Sequence, residues 1–178
     1  MKQFFHKYIC LLGPVLAAIF IGLDQWSKSL AVLKLKNQEP FVIWDGVFEF
    51  HYYENTGAAW GMLKDQQIFF YILTVVFCAL ILYEIYRLYR NPRYMPFVYT
   101  LFLVLAGAIG NFIDRLHLKY VVDFIYVKII DFPIFNLADS YITVSVLILI
   151  LLLFFYYTDD EFDEMIPLFS AKKHKEQK

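Results

Sequence analysis

The stretch FNLADSYITVSVLILILLLFFYY, residues 135–157, decides the fold. From Ser140 to Tyr157 it carries no charge, and that length suits a helix crossing the hydrocarbon of a bilayer. At its head stands a carboxylate, Asp139. A charge beside hydrocarbon is costly, and an ionisable group retained there belongs to function by default when a partner can be named. The rest of the chain is read for that partner.

Of the 178 residues, 60% are hydrophobic and 20% aromatic, with 19% charged; a soluble domain is roughly 45–50% apolar. The composition predicts an integral membrane protein. A net charge of −1 leaves no basic stripe for nucleic acid. Cys10 and Cys78 both lie within apolar runs, where a small buried thiol is expected and no disulfide framework is implied. The basic, apolar N-terminus lacks a small-residue cleavage site and reads as a retained first span.

Four uncharged runs, about 8–23, 66–83, 94–113 and 140–157, predict an all-α polytopic membrane protein with four transmembrane helices. Four crossings put both termini on one side. Lys2 and Lys7, then Arg87, Arg90 and Arg93, then Lys172, Lys173, Lys175 and Lys178 mark that side as cytoplasmic by the positive-inside rule. The long connections 24–65 and 114–139 then face outward. In FVIWDGVFEFHYY, Asp45-Gly46 between β-prone runs predicts a two-residue hairpin turn with both positions at positive φ, within a β region of about 41–60. Phe48, Phe50 and Tyr52 are expected on one strand face, with Glu49, His51 and Tyr53 on the other. The acidic-then-basic segment 158–178 is expected to be a mobile cytoplasmic tail beyond a 1–157 membrane domain.

The polar residues of the outward side gather at one membrane face. Asp24 and Lys28 stand one helical turn apart if the first helix continues. Asn55 opens NTGAAWG, where Gly57, Ala58, Ala59 and Gly61 allow close backbone approach. Asn111, Asp114 and Arg115 end the third span, Asp123 sits among apolar neighbours in VVDF, and Asn136 and Asp139 open the fourth span. Plain structural readings stand beside these. Asp24 with Lys28, and Asp114 with Arg115, suit interfacial ion pairs. The asparagines serve equally to satisfy backbone groups or to touch a ligand, and Asp139 suits a helix N-terminus. Asp123 gains nothing among its apolar neighbours unless it is paired.

The four histidines form no H-E-x-x-H helix, and no G-x-S-x-G elbow occurs, which argues against a metalloprotease and a serine nucleophile. Two carboxylates on a water-accessible face remain. Held close, they share a proton, so one is a base toward water while the other polarises a carbonyl. A magnesium-dependent phosphatidyl-group transferase and a non-enzymatic channel or scaffold are the alternatives. The first needs acids at short helical spacing, but Asp123, Asp131 and Asp139 are interleaved with lysine.

The motifs DQWSK (24–28), NTGAA (55–59), GNFIDR (110–115), VVDF (121–124) and FNLAD (135–139) resemble, in order and across about residues 8–157, those of bacterial lipoprotein signal peptidase, signal peptidase II. The resemblance implies four membrane helices with a small extracytoplasmic β-cradle. It implies a membrane aspartyl endopeptidase, without cofactor or metal, that cuts prolipoproteins just before a diacylglyceryl-modified cysteine. Asp123 and Asp139 would be the catalytic pair, with Asp24, Lys28, Asn55, Gly57, Asn111, Arg115 and Asn136 lining or bracing the pocket. The expected setting is the bacterial cytoplasmic (inner) membrane, with the site on its outer face. Lipid-modified prolipoprotein and membrane lipids would be its partners, nucleic acid would not, and a monomer is expected. Ala106 before Gly107, and Trp60, depart from the family's usual glycine and phenylalanine.

Overall fold

The computed structural model describes residues 2–57 and 66–165, with side chains from Leu11 onward. Ala58, Ala59, Trp60, Gly61 and the lysine-rich C-terminus lie outside the described residues. Five helices and three strands follow in the order α1 (Lys2–Leu35), β1 (Phe41–Trp44), β2 (Phe48–Asn55), α2 (Gln67–Leu88), α3 (Met95–Leu118), β3 (Val121–Val127), α4 (Leu137–Leu151) and α5 (Asp159–Met165). Four helical stretches are long and apolar enough to cross a membrane: Leu11–Leu35, Gln67–Leu88, Pro92–Leu118 and Leu137–Tyr156, the last completed by a π-turn over Leu152–Tyr156.

The first of these runs on well past residue 23, where the uncharged stretch ends. Asp24 and Lys28 do not stop the helix because their charges meet each other at 2.8 Å and are hidden inside the bundle, 0% and 3% exposed. A paired, buried charge costs far less than a lone one, so α1 carries both inward and continues to Leu35.

Helix α3 is central and packs against α1, α2 and α4. Its small residues make this possible. A Cβ on Gly107 would stand 2.5 Å from the Ala138 carbonyl oxygen, and one on Gly110 would stand 2.6 Å from Asp24 Oδ2. Ala106, in place of the glycine usual in the resembling family, is completely buried beside this contact. Toward the other end of the bundle, Ile81, Ile85 and Leu88 of α2 pack with Met95, Val98 and Leu101 of α3. Lys119 in the left-handed region (φ 70°) ends α3, its N–H donating to the Arg115 carbonyl at 3.2 Å.

The sheet is antiparallel in the order β1-β2-β3, and its third strand is the VVDF segment itself. The β1–β2 connection differs from the expected two-residue turn. It spans Asp45 to Val47, closed by Val47 N–H donating to the Trp44 carbonyl at 3.0 Å, and only Gly46 has positive φ, at 69°. Pairing of β2 with β3 shifts by one residue between Phe50↔Ile125 and Tyr53↔Asp123. The expected grouping of Phe48, Phe50 and Tyr52 holds, Phe48 meeting Phe50 edge to face and Phe50 and Tyr52 packing on the same cluster of Val122 and Phe124, and the bulge acts on how the residues beyond it face β3. An extra residue reverses the inward and outward sense of everything beyond it. Without it Asp123 would oppose Tyr52, and Asn55 would point to the other side. With it, Asn55 shares the face of Tyr53 and Asp123.

Residues Asp159–Met165, within the segment expected to be a tail, form α5, which docks on Arg87 in the last turn of α2 and on Arg93 and Tyr94 just before α3. Arg93 pairs with Glu161 at 2.8 Å, Tyr94 donates to Glu164 at 2.6 Å, and Arg87 donates to the Glu164 carbonyl at 2.7 Å.

Candidate active site

After β3 the chain turns back so that Phe135 bridges Ile125, with N–H to carbonyl bonds of 3.0 and 2.8 Å in the two directions. That bridge delivers Asn136 and the start of α4 beside Asp123. Asn136 is the N-cap of α4: its Oδ1 accepts from the Asp139 N–H at 3.0 Å, and its own N–H donates to Asp139 Oδ2 at 3.2 Å. This capping box answers why a carboxylate heads a membrane helix, since it satisfies end groups that hydrocarbon cannot. It also holds the carboxyl in one orientation.

Each carboxyl receives amide N–H groups on both oxygens. Asp123 accepts from Asn136 Nδ2 at 2.7 Å and from Asn55 Nδ2 at 2.9 Å. Asp139 accepts from Asn111 Nδ2 at 2.7 Å as well as from the backbone of Asn136. The amide orientations are forced by neighbours that only donate. Lys28 Nζ donates to Asn111 Oδ1 at 2.9 Å, so the Asn111 amino group must face Asp139. The Asp139 N–H occupies Asn136 Oδ1, so the Asn136 amino group must face Asp123 and Asn111 Oδ1, the latter at 3.0 Å.

Asp123 is 1% exposed. Burial, and next the Asp139 carboxyl nearby, push it up to about 7 against the opposing effect of Asn55 and Asn136. Both carboxyls line a cavity of about 550 Å³ together with Asn55, Gly57, Asn111 and Arg115. Its apolar walls come from Phe132 to Phe135 and from Thr143 and Val144 of α4. Arg115 stacks on Phe70, 4.6 Å from the ring centre, and donates to the Gly57 carbonyl at 3.2 Å. Asn55 Oδ1 accepts from the Gly57 N–H at 3.0 Å, so this loop is tied at both of its polar groups.

Of the other expected residues, Asn136 braces both carboxyls without lining the cavity, and neither Asp24 nor Lys28 lines it. Asp24 and Lys28 lie behind Asn111, and Asp24 Oδ1 accepts from the Ala138 N–H at 3.0 Å. Asp114 is paired with Lys28 at 3.1 Å. The ion pair read from its adjacency to Arg115 is absent among the described residues, because consecutive helical residues point about 100° apart. Gln25, which the sequence reading passed over, joins Asp24, the Gly110 carbonyl and Asp114 at 3.2, 3.1 and 3.0 Å. Ser140, Thr143 and Val144 were also passed over as lining residues, although Thr143 lies one turn beyond Asp139 on the same helix face. Among the described residues no group of three His, Cys, Asp or Glu side chains is placed to hold a metal ion.

A sequence model of signal peptidase (SPase) II matches residues 16–155. The chain belongs to the signal peptidase II family. Within that family it is similar to the lipoprotein signal peptidase of Streptococcus thermophilus, at 45% identity over 136 residues, covering 76% of this chain and 88% of the relative. It is also similar to that of Geobacillus thermodenitrificans, at 44% over 152 residues, covering 84% and 94%. A solved bacterial membrane enzyme structure at 1.9 Å resolution superposes with a TM-score of 0.70 at 31% identity, covering 82% of this chain and 94% of that one. Membership of the signal peptidase II family makes this chain a peptidase.

Proposed function

We propose that this chain removes signal peptides from prolipoproteins by aspartyl chemistry, with Asp123 and Asp139 as the catalytic pair. The observation that carries the reading is the meeting of two carboxyls in one cavity, the buried Asp123 from β3 and the half-buried Asp139 from the head of α4. With one proton between them, the ionised carboxylate takes a proton from water as the water oxygen attacks the scissile carbonyl. The protonated carboxyl gives its proton to the carbonyl oxygen. Collapse of the tetrahedral diol breaks the C–N bond as one carboxyl gives its proton to the leaving amine and the other carboxylate takes a diol hydroxyl proton, which restores the pair with one proton.

Asn55, Asn111 and Asn136 hold the two carboxyls, and Arg115 with Gly57 orients the substrate backbone. The substrate is a prolipoprotein whose cysteine already bears a diacylglyceryl group. Its acyl chains remain in lipid and hold the adjacent bond at the depth of the cavity, each buried methylene adding about 0.8 kcal/mol of anchoring. The enzyme works as a monomer in the bacterial cytoplasmic membrane, with the cavity facing outward.

The test uses purified full-length protein in lipid and a pair of precursor peptides, one diacylglyceryl-modified at its cysteine and one with a free thiol. Mass analysis of products is expected to show cleavage immediately before the modified cysteine and far slower cutting of the thiol form. Equal rates would reduce the reading to a general intramembrane peptidase. Asp123→Asn and Asp139→Asn are each expected to abolish cleavage while the protein still inserts and folds, and turnover by either would remove the assignment.

A further inference from the structure

Asp114 is buried, yet it lies outside the cavity and takes no direct part in the chemistry described above. One of its oxygens, Oδ2, serves two partners. It receives the Lys28 ammonium at 3.1 Å and the Val122 backbone N–H at 3.0 Å. The first partner leads to one carboxyl, because Lys28 donates to Asn111 and Asn111 donates to Asp139. The second leads to the other, because Val122 immediately precedes Asp123 on β3. The next peptide group, which joins Val122 to Asp123, is also gripped, since the Val122 carbonyl accepts from Asn136 Nδ2 at 3.4 Å. The other oxygen of Asp114, Oδ1, accepts from Gln25, which ties it to α1.

We propose that Asp114 is a further positioning residue that couples the two cavity carboxyls, fixing Asp139 through Lys28 and Asn111 and fixing Asp123 through the Val122 backbone. The inference rests on the reading of Asp123 and Asp139 as the catalytic pair. Two groups on separate elements, a strand and a helix, must keep one mutual geometry for a shared proton and a bound water; Asn136 bonds both directly, but it belongs to the head of α4 itself and does not tie the pair to the rest of the bundle. Asp114 supplies a common reference point on a third element, α3. Asp24 cannot replace it, because Asp24 is bonded to the Ala138 N–H and reaches only the α4 side.

The experiment measures cleavage of a lipidated precursor peptide by full-length protein in lipid, with single-turnover measurements at excess enzyme to capture slow rates. Asp114→Ala is expected to lower kcat about 100-fold with KM within about twofold, the pattern of lost alignment and not of lost binding. Asp114→Asn keeps an oxygen for the Val122 N–H and is expected to recover part of the loss. Because Asp114 acts partly through Lys28, adding Asp114→Ala to Lys28→Met is expected to cost less than about tenfold further. Wild-type kcat per folded molecule in Asp114→Ala, or full multiplication of the two losses in the double variant, would overturn the inference. So would failure of both Asp114 variants to yield folded protein, which would assign this residue to stability alone. Asp123→Asn, run alongside, separates the two levels. If it still cuts, the catalytic reading fails and this inference with it; if it is inactive while Asp114→Ala is fully active, only this inference fails.

Discussion

The carboxyl of Asp123 is held with a proton that an ordinary aspartate would have released. In the folded chain it titrates at about 7, whereas in the unfolded chain it titrates near the usual value of about 3.9. Between those values the folded state binds a proton that the unfolded state does not, so the contribution of this group to stability falls as pH rises from about 4 to about 7. In Asp123→Asn that titration is gone. The melting temperature of the variant, measured in detergent beside wild type, is expected to move in favour of the variant as pH is raised from acid to neutral, and parallel profiles would contradict the assignment. Activity is expected to follow a bell, lost when the pair holds two protons or none, with the alkaline limb displaced from the carboxylate range toward neutrality. A limb near pH 4 would show that burial does not govern the pair. The acids and amides that touch the cavity were legible because the short motifs carrying them place such groups next to apolar runs, whereas Ser140, Thr143 and Val144 carry no such mark. Asp114 and Gln25 were harder to place, because the contacts of Asp114 with Lys28 and Val122, and of Gln25 with Gly110 and Asp114, are made only by folding.

At the scale of elements, the contacts of α3 give a prediction with opposite signs. Gly107→Ala and Gly110→Ala push a methyl against the Ala138 carbonyl oxygen and the Asp24 carboxylate, neither of which is a flexible side-chain end free to move. Each is expected to destabilise by about 1–3 kcal/mol. Gly22→Ala on α1 meets nothing within 4 Å and is expected to be neutral or to stabilise by about 0.4–1 kcal/mol. Thermal unfolding of the three variants in one detergent decides this, and a shared sign would refute the packing account. Deleting one residue at the β2 bulge, between Phe50 and Tyr53, should turn Asn55 away from Asp123 and abolish cleavage while leaving the helices intact by circular dichroism. The four helices were legible from uncharged length alone, and the Asp-Gly hairpin from its turn residues. The third strand, the bulge and the continuation of α1 were not, because each depends on a partner distant in sequence. Val121 to Val127 pairs with β2, and Asp24 is tolerated in a helix only because Lys28 and the Ala138 N–H neutralise and satisfy it.

Across the whole molecule, charge and chemistry are separated along the helices. The stretch Leu11–Leu35 is about 37 Å long at 1.5 Å per residue, and it leads from the arginine-bearing end of the bundle to the end that holds the sheet and cavity. At the former end Arg87 lies in the last turn of α2 and Arg90 and Arg93 in the short connection to α3, and α5 folds back on them, its Glu161 pairing with Arg93 and its Glu164 carbonyl accepting from Arg87. Basic residues in a short loop are the feature retained on the cytoplasmic side during insertion, and acidic residues nearby contribute little to that choice. The pairing of Arg93 with Glu161 in the folded protein therefore leaves the orientation signal intact. If the arginine loop is cytoplasmic, the geometry requires the cavity to open at the opposite surface, where an exported lipid-modified precursor would present its cleavage site. A reporter active only outside the cytoplasm, inserted near Glu39 in the connection between α1 and β1, is expected to be active, and the same reporter fused after Tyr94 is expected to be silent. The reverse pattern would put Asp123 and Asp139 in the cytoplasm, out of reach of exported substrates, and would remove the lipoprotein reading even if both carboxyls proved essential for hydrolysis in a purified preparation.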